Sequence, residues 1–415
     1  MASPAVPLMS PTGRAGAVPP VGSPEFFADP YPTYSWLRAQ GPIVRLPADT
    51  LACTRYAECL ALLRDPRLSA RRYMRPIAHY TAAQQDQLAP WMRVVSKQAI
   101  FMDAPEHARL RGLLMRAFSP EAIERLIPRI GGLFSELLDR VPRGTKVDFI
   151  STVAQPFPAL VIGEVLGIPR SGWNLLLRWC DVFMDFFASV PAPFELALEA
   201  QKAVIEMIEY VEPIVERRKA QPCDDLISMM LEVDQETDTI TMDELLAQSM
   251  LLLVAGYETM RNLLGNSLFT LLTNPGATER VQHDSTLLRG AVAEILRFHG
   301  PVQGISRVAA VPLELNGDKV EPGQALVVLV AAANRDPRQF RDPDHFDIER
   351  RNDAHLTFGA GRHTCLGNYL ARLEAQIALS MLLRRYEHIE LCDPRPRWSE
   401  TLLVRGPRNL DIVFE

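Results

Sequence analysis

The sequence predicts a mainly α-helical fold with a small β-rich region, and three observations carry the prediction. Amphipathic patterns of helical period recur along most of the chain. One of them, Met242–Leu272, runs for about thirty residues without a proline, which would make roughly 45 Å of helix, enough to cross a whole domain. Short β-rich pieces stand at Pro42–Leu46, Thr50–Arg55 and Ala325–Val330. The 415-residue length would allow one large domain or several small ones, but no internal repeat or long linker divides it. Residues 25–415 therefore read as a single domain.

In chain order, residues 1–24 are rich in Pro, Ala and Gly and carry Arg14 as their one charge, which reads as a floppy tail rather than a leader or a membrane span. The first two β-rich pieces follow. Helical patterns then run over Ala57–Arg64, Glu121–Arg140, Pro158–Leu166, Glu195–Lys219, Met242–Leu272 and Leu287–Phe298, and a last one spans Leu366–Leu383. The longest apolar stretch, around Met250–Ala255, is far too short to cross a bilayer. Hydrophobic content of 47% and charged content of 23% are ordinary for a soluble globular protein. A net charge of -6 argues against a nucleic-acid binder. Six scattered cysteines and no secretory leader point to a reducing cytoplasm with free thiols.

The most informative segment is Phe358-Gly359-Ala360-Gly361-Arg362-His363-Thr364-Cys365-Leu366-Gly367, a cysteine in a glycine-rich loop that enters the last helical pattern. Glycines let the backbone turn tightly and approach a flat cofactor with no Cβ in the way. The positive end of the following helix favours a thiolate at Cys365, and N–H groups after it can point at the sulfur. There is no Cys-x-x-Cys pair, and Cys53, Cys59, Cys180, Cys223 and Cys392 are dispersed, which argues against zinc on His363 and Cys365.

This segment resembles, without a mismatch, the Phe-Gly-x-Gly-x-His-x-Cys-x-Gly haem-ligand signature of the cytochrome P-450 family. The resemblance extends from about Pro24 to the C-terminus. It implies that family's fold, with the long helix over a haem, and a soluble bacterial-type member without a membrane anchor. It implies haem b (iron protoporphyrin IX) as cofactor, with the Cys365 thiolate as axial iron ligand and Phe358, Gly359, Gly361, His363 and Gly367 forming the ligand loop.

Within the long helical pattern, Ala255-Gly256-Tyr257-Glu258-Thr259 resembles the family's (Ala/Gly)-Gly-x-(Asp/Glu)-Thr motif. Gly256 is expected to leave space for a bound diatomic. A threonine hydroxyl can bond back one turn and open a groove in the helix. By resemblance, Thr259 hydrogen-bonds the bound oxygen and helps deliver protons, Glu258 relays them from solvent, and Cys365 supplies the electron push that splits the O–O bond. Tyr257 and Met260 stand where many relatives carry His or Thr. Tyr257 is open between a core residue, a substrate contact and part of a proton route.

Haem propionates are anionic and call for Arg and His donors. His107 and Arg111, four apart on one helical face, resemble the family's first propionate pair. Arg307, about ten residues after a Glu-x-x-Arg pair, and His355, three before Phe358, match two further positions. Arg109 points away from the His107–Arg111 face. Glu294 and Arg297 form that Glu-x-x-Arg pair, and the family packs it with a later arginine, for which Arg350 is the candidate. Asn334-Arg335-Asp336-Pro337 matches a recurring family turn.

No flavin-binding or iron–sulfur motif appears, so the resemblance implies an external ferredoxin or flavodoxin with its NAD(P)H-dependent reductase. Arg362, Arg372, Arg109 and Arg116 are candidates to meet an acidic donor. Substrate contacts map to Tyr73–Ile100, Trp179–Leu198, Leu251–Tyr257, Pro301–Ser306 and Thr401–Leu403. The apolar run Val182-Phe183-Met184-Asp185-Phe186-Phe187 favours a hydrophobic substrate, or is helix core. The implied reaction is insertion of one oxygen atom from O2 into a hydrophobic small molecule, in secondary metabolism by family precedent. Desaturation, oxidative coupling, peroxide-driven oxidation and a non-catalytic haem sensor are the alternatives.

Overall fold

Met242–Leu272 forms one continuous helix of 31 residues. Its start is fixed by a capping box in which Thr241 Oγ1 accepts from the Glu244 N–H and the Glu244 carboxylate accepts from the Thr241 N–H. Inside the protein, Ser249, Thr259, Ser267 and Thr270 each donate a hydroxyl to the carbonyl four residues earlier. Those bonds satisfy polar groups that would otherwise be costly to bury. In this computed structural model, which describes residues 18–46, 50–189, 191–233, 240–350 and 354–415, the helix packs against Pro156–Val165, Trp173–Ala188 and Asn368–Arg385. Among the described residues no helix is long and apolar enough to cross a membrane.

Helices at Tyr56–Arg64, Phe194–Ala220, Leu288–Phe298 and Asn368–Arg385 follow their apolar patterns closely. The pattern over 121–140 instead divides into Pro120–Glu124 and Ile127–Leu138, the second of which takes Pro128 in its first turn. A proline has no N–H to continue an existing helix but suits the start of a new one. Residues 18–24 also depart from the expected floppy tail. Ser23 Oγ caps the helix Pro24–Ala28 by accepting from the Phe26 N–H, and the Pro19 carbonyl accepts from Thr33 Oγ1. The rest of the expected tail, residues 1–17, lies outside the described residues.

The β-rich region is a five-stranded sheet in the order Ile43–Arg45, Leu51–Cys53, Ala325–Val328, Ile305–Ala309, Leu68–Ser69. Leu51–Cys53 and Ala325–Val328 run parallel, and the other neighbours are antiparallel. The register pairs Arg307 with Leu326 and Val308 with Ser69. It thereby holds Arg307 in a central strand and brings the residues that follow Ser69 alongside it.

The Glu294–Arg297 pair is buried, and the structure brings Arg350 onto it. Arg297 Nε and Nη2 each donate to the Glu294 carboxylate at 2.7 Å, and Arg350 Nε donates to both carboxylate oxygens at 3.1 Å. Arg297 Nη1 donates to the carbonyls of Asn334 and Pro343. Asn334 passes this order on: its Oδ1 accepts from the Leu356 N–H and its Nδ2 donates to Thr357 Oγ1. The chain entering the cysteine loop is therefore tied to a buried, fully bonded ion triad.

On the helix after the cysteine, Glu374 is buried and its Oε2 has no hydrogen-bond partner. Burial alone pushes its pKa from 4.5 to about 8. Below pH 4.5 both folded and unfolded forms hold the proton. Between 4.5 and 8 the unfolded chain releases it while the folded one retains it, so stability falls as pH rises across that window. Glu374→Gln is expected to remove this slope, its advantage over wild type growing to roughly 3 kcal/mol at pH 7. Denaturant titrations at low and neutral pH test this, and an advantage that does not change with pH would refute it.

Candidate active site

The cysteine loop depends on two left-handed glycines, Gly359 at φ 69° and Gly361 at φ 73°. A Cβ on Gly361 would also lie 2.9 Å from the Leu63 carbonyl, at the end of the helix Tyr56–Arg64, so the loop rests directly on that backbone. The Cys365 N–H donates to the Phe358 carbonyl at 2.8 Å, closing the loop. The Gly367 N–H bonds to the sulfur and the Arg111 charge lies near it, both favouring thiolate, but burial outweighs them and pushes the thiol pKa up. The expected benefit from the following helix is thus insufficient by itself. A coordinated metal ion is what would hold this sulfur deprotonated.

A cationic group gathers beside the loop. The rings of His107 and His363 lie 4.0 Å apart, and His363 Nε2 is buried without a hydrogen-bond partner. Burial, followed by the charges of His107, Arg307, Arg72 and Arg362, drives the His363 pKa down to about 2. Arg307 is lowered to about 10 and Arg72 to about 9, in both cases chiefly by burial. Asp103 is the acid that opposes this, and its oxygens are already engaged by Ser69 Oγ and the Ala70 N–H. Such an excess of buried donors suits a dianionic group.

Two further expected members make contacts of their own, and the charge of Arg111 is also felt at His107. Arg111 donates to the Thr364 carbonyl at 2.6 Å, which places it beside Cys365. His355 Nε2 accepts from Arg372 at 2.9 Å, and its ring packs near Phe358, over which Arg372 also lies. His355 is thus bonded to the helix after the cysteine, while His363 lies within reach of the Arg307 charge. Arg72 was not anticipated: two adjacent arginines after a two-residue strand look like solvated surface, and only the sheet register reveals their position.

On the long helix, Ala255 is exposed although it lies midway along a helix that crosses the core, and Thr259, one turn on, is half-buried. Cys365, His363 and Arg72 are likewise only partly covered despite lying deep enough for burial to dominate their ionisation. Open surface on residues this deep is compatible with a cleft, offered a thiol and cationic donors from the loop side and a small apolar residue from the long helix. A flat, dianionic, thiolate-ligated group fits that lining. Thr259 Oγ1 donates to the Ala255 carbonyl at 2.6 Å, as its sequence context predicts. A Cβ at Gly256 would lie 2.8 Å from Ile162, so this glycine permits close helix packing, and Ala255 beside it is exposed.

Glu258 is buried, with Asn262 Nδ2 on Oε1 at 2.9 Å and Arg261 Nη1 on Oε2 at 3.2 Å. Tyr257 proves to be a core residue that donates to Asp181 Oδ1 at 2.9 Å, and Met260 is also buried. The apolar run on Trp173–Ala188 divides: Phe183 and Phe186 are core, whereas Val182, Met184 and Phe187 are partly open. Ile100, Leu402 and Leu403, in other segments expected to meet substrate, are exposed. Of the four arginines considered for a redox donor, Arg109 pairs with Glu244 and Arg372 bonds to His355, while Arg116 is exposed.

A family model described as Cytochrome P450 matches residues 174–414. The chain is 36% identical over 402 residues to the cytochrome P450 monooxygenase PikC of Streptomyces venezuelae, covering 94% of this chain and 92% of that protein. It is 35% identical over 399 residues to a biotin biosynthesis cytochrome P450 of Bacillus subtilis (strain 168), covering 95% and 98%. Among solved structures, P450BioI in complex with a hexadec-9Z-enoic acid ligated acyl carrier protein is similar with a TM-score of 0.86 at 33% identity, over 94% of this chain and 99% of that one.

Proposed function

This chain belongs to the cytochrome P450 family, and we propose that it hydroxylates or epoxidises a hydrophobic small molecule with O2 and externally supplied electrons. It is a haem-thiolate monooxygenase. When bound, the haem supplies dioxygen activation and oxygen-atom insertion. Cys365 would ligate its iron. His107, His363 and Arg307 would receive its carboxylates, while Arg111 steadies the loop through Thr364. The observation that carries the reading is the pairing of exposed Ala255 with Thr259 on the long, largely buried helix Met242–Leu272.

In this reading, Thr259 presents its hydroxyl to the space where oxygen is reduced, and Glu258 is the next acidic group along the helix. Arg261 and Asn262 fix the Glu258 carboxylate, so its relay to Thr259 requires that carboxylate to turn. Apolar Ile100, Leu402, Leu403 and Ala255, exposed in this structure, would meet an uncharged or amphipathic substrate. An acyl chain, free or carrier-borne, is one substrate this lining admits. Electrons would come from a ferredoxin or flavodoxin with its NAD(P)H-dependent reductase.

Thr259→Ala is expected to retain haem while lowering product formed per NAD(P)H by about tenfold, the lost equivalents appearing as peroxide. Unchanged coupling would remove Thr259 from proton delivery. A library screen for substrate-induced spin-state shifts, with product identification, tests the substrate class. Shifts confined to strongly charged compounds would overturn it.

A further inference from the structure

We propose that Arg72 is a haem-carboxylate-binding residue that also fastens the base of the segment 73–100, so that loading the cofactor and shaping the substrate side of the site share one guanidinium. The inference rests on haem binding at Cys365 and extends it to a residue outside the recognised motifs. Pairing of Ser69 with Val308 ends the edge strand just before Arg72, and Arg307 is the next residue back along the partner strand. The register therefore delivers Arg72 to the flank of Arg307.

Several observations indicate that this placement is built for an anion. Arg72 and Arg307 lie close enough for the charge of Arg307 to be felt at Arg72. Like charges at this depth repel strongly unless an anion lies among them. Asp103, whose charge both arginines feel, is a single negative charge set against two positive ones, and it also pairs with Arg71. His363 Nε2, buried and unpartnered, is a further donor or acceptor awaiting a partner.

The same side chain joins the two ends of the following loop. Arg72 Nη1 donates to the Ala70 carbonyl at 3.0 Å and to the Ile100 carbonyl at 3.1 Å, and its guanidinium lies over the Phe101 ring at 5.1 Å. The intervening segment contains the first stretch assigned to substrate contact. A carboxylate on Arg72 would hold the guanidinium still and, through it, both carbonyls.

The test uses the full-length protein loaded either with haem or with haem dimethyl ester, whose carboxylates are neutral. The readouts are transfer of the porphyrin to excess apomyoglobin and protease cleavage within 73–100. In Arg72→Gln, haem should leave about tenfold faster than from wild type, while loss of the ester should change little. Arg72→Lys keeps the charge and should keep the preference for the diacid, but cleavage within 73–100 should increase because lysine cannot make both carbonyl bonds and still meet a carboxylate. Equal acceleration for haem and its ester in either variant would reduce Arg72 to a scaffold residue and overturn the proposal, as would unchanged haem loss in Arg72→Gln. Failure of wild type to bind haem at all would instead refute ligation at Cys365.

Discussion

Cys365→Ala should abolish the red-shifted Soret band of the reduced carbon monoxide complex and reduce turnover to background. No other cysteine is placed to take over. Cys53, Cys59 and Cys180 are buried, and Cys223 and Cys392 are exposed in other parts of the chain. The cationic group remains intact in this variant, so some haem should be retained, with its carbon monoxide band at the position seen without a thiolate ligand. The two effects separate sulfur ligation from carboxylate binding. A persistent red-shifted band in Cys365→Ala would disprove the assignment of the ligand. Loss of all haem would show that the sulfur, and not the cationic donors, dominates retention.

The second large effect is on folding. Glu294→Ala leaves Arg297, which is 2% exposed, and Arg350 without their shared carboxylate. Removing one partner of a buried pair typically costs about 3–5 kcal/mol, because the remaining charge stays desolvated. Arg297→Lys should be nearly as damaging. A lysine cannot reproduce the fork that reaches Glu294 together with the carbonyls of Asn334 and Pro343. Since Asn334 holds Leu356 and Thr357, loss of the Soret signal should track loss of helicity in denaturant. A Glu294→Ala protein with an unshifted midpoint would remove the triad from the folding account. Loss of haem well before helicity would show that the cysteine loop opens independently of it.

What was legible in the sequence was whatever local spacing determines. The long helix, the cysteine loop and the Glu294–Arg297 pair each follow from a short run of residues, and the structure places them as those runs imply. Arg350 was found because it lies in a motif, although its bonds cross more than fifty residues. What stayed hidden depends on register and on competition between partners. Arg72 reaches Arg307 through a two-residue strand too short to carry a pattern. Nothing in sequence reveals that Arg372 lies 2.9 Å from His355. No local run announces that Gly256 is crowded by Ile162, because that helix comes from far away in the chain.

The bond from Thr259 to the Ala255 carbonyl has a direction, and that direction matters for timing. With its hydrogen committed to the helix, the alcohol meets the interior through its lone pairs. At rest it is an acceptor, able to hold a water molecule but unable to protonate anything. Giving up a proton requires the hydroxyl to rotate away from the carbonyl or to receive a second proton first. The residue is thus a one-way valve whose resting position is closed, so a serine should preserve the valve and a valine of the same shape should leave the space without one.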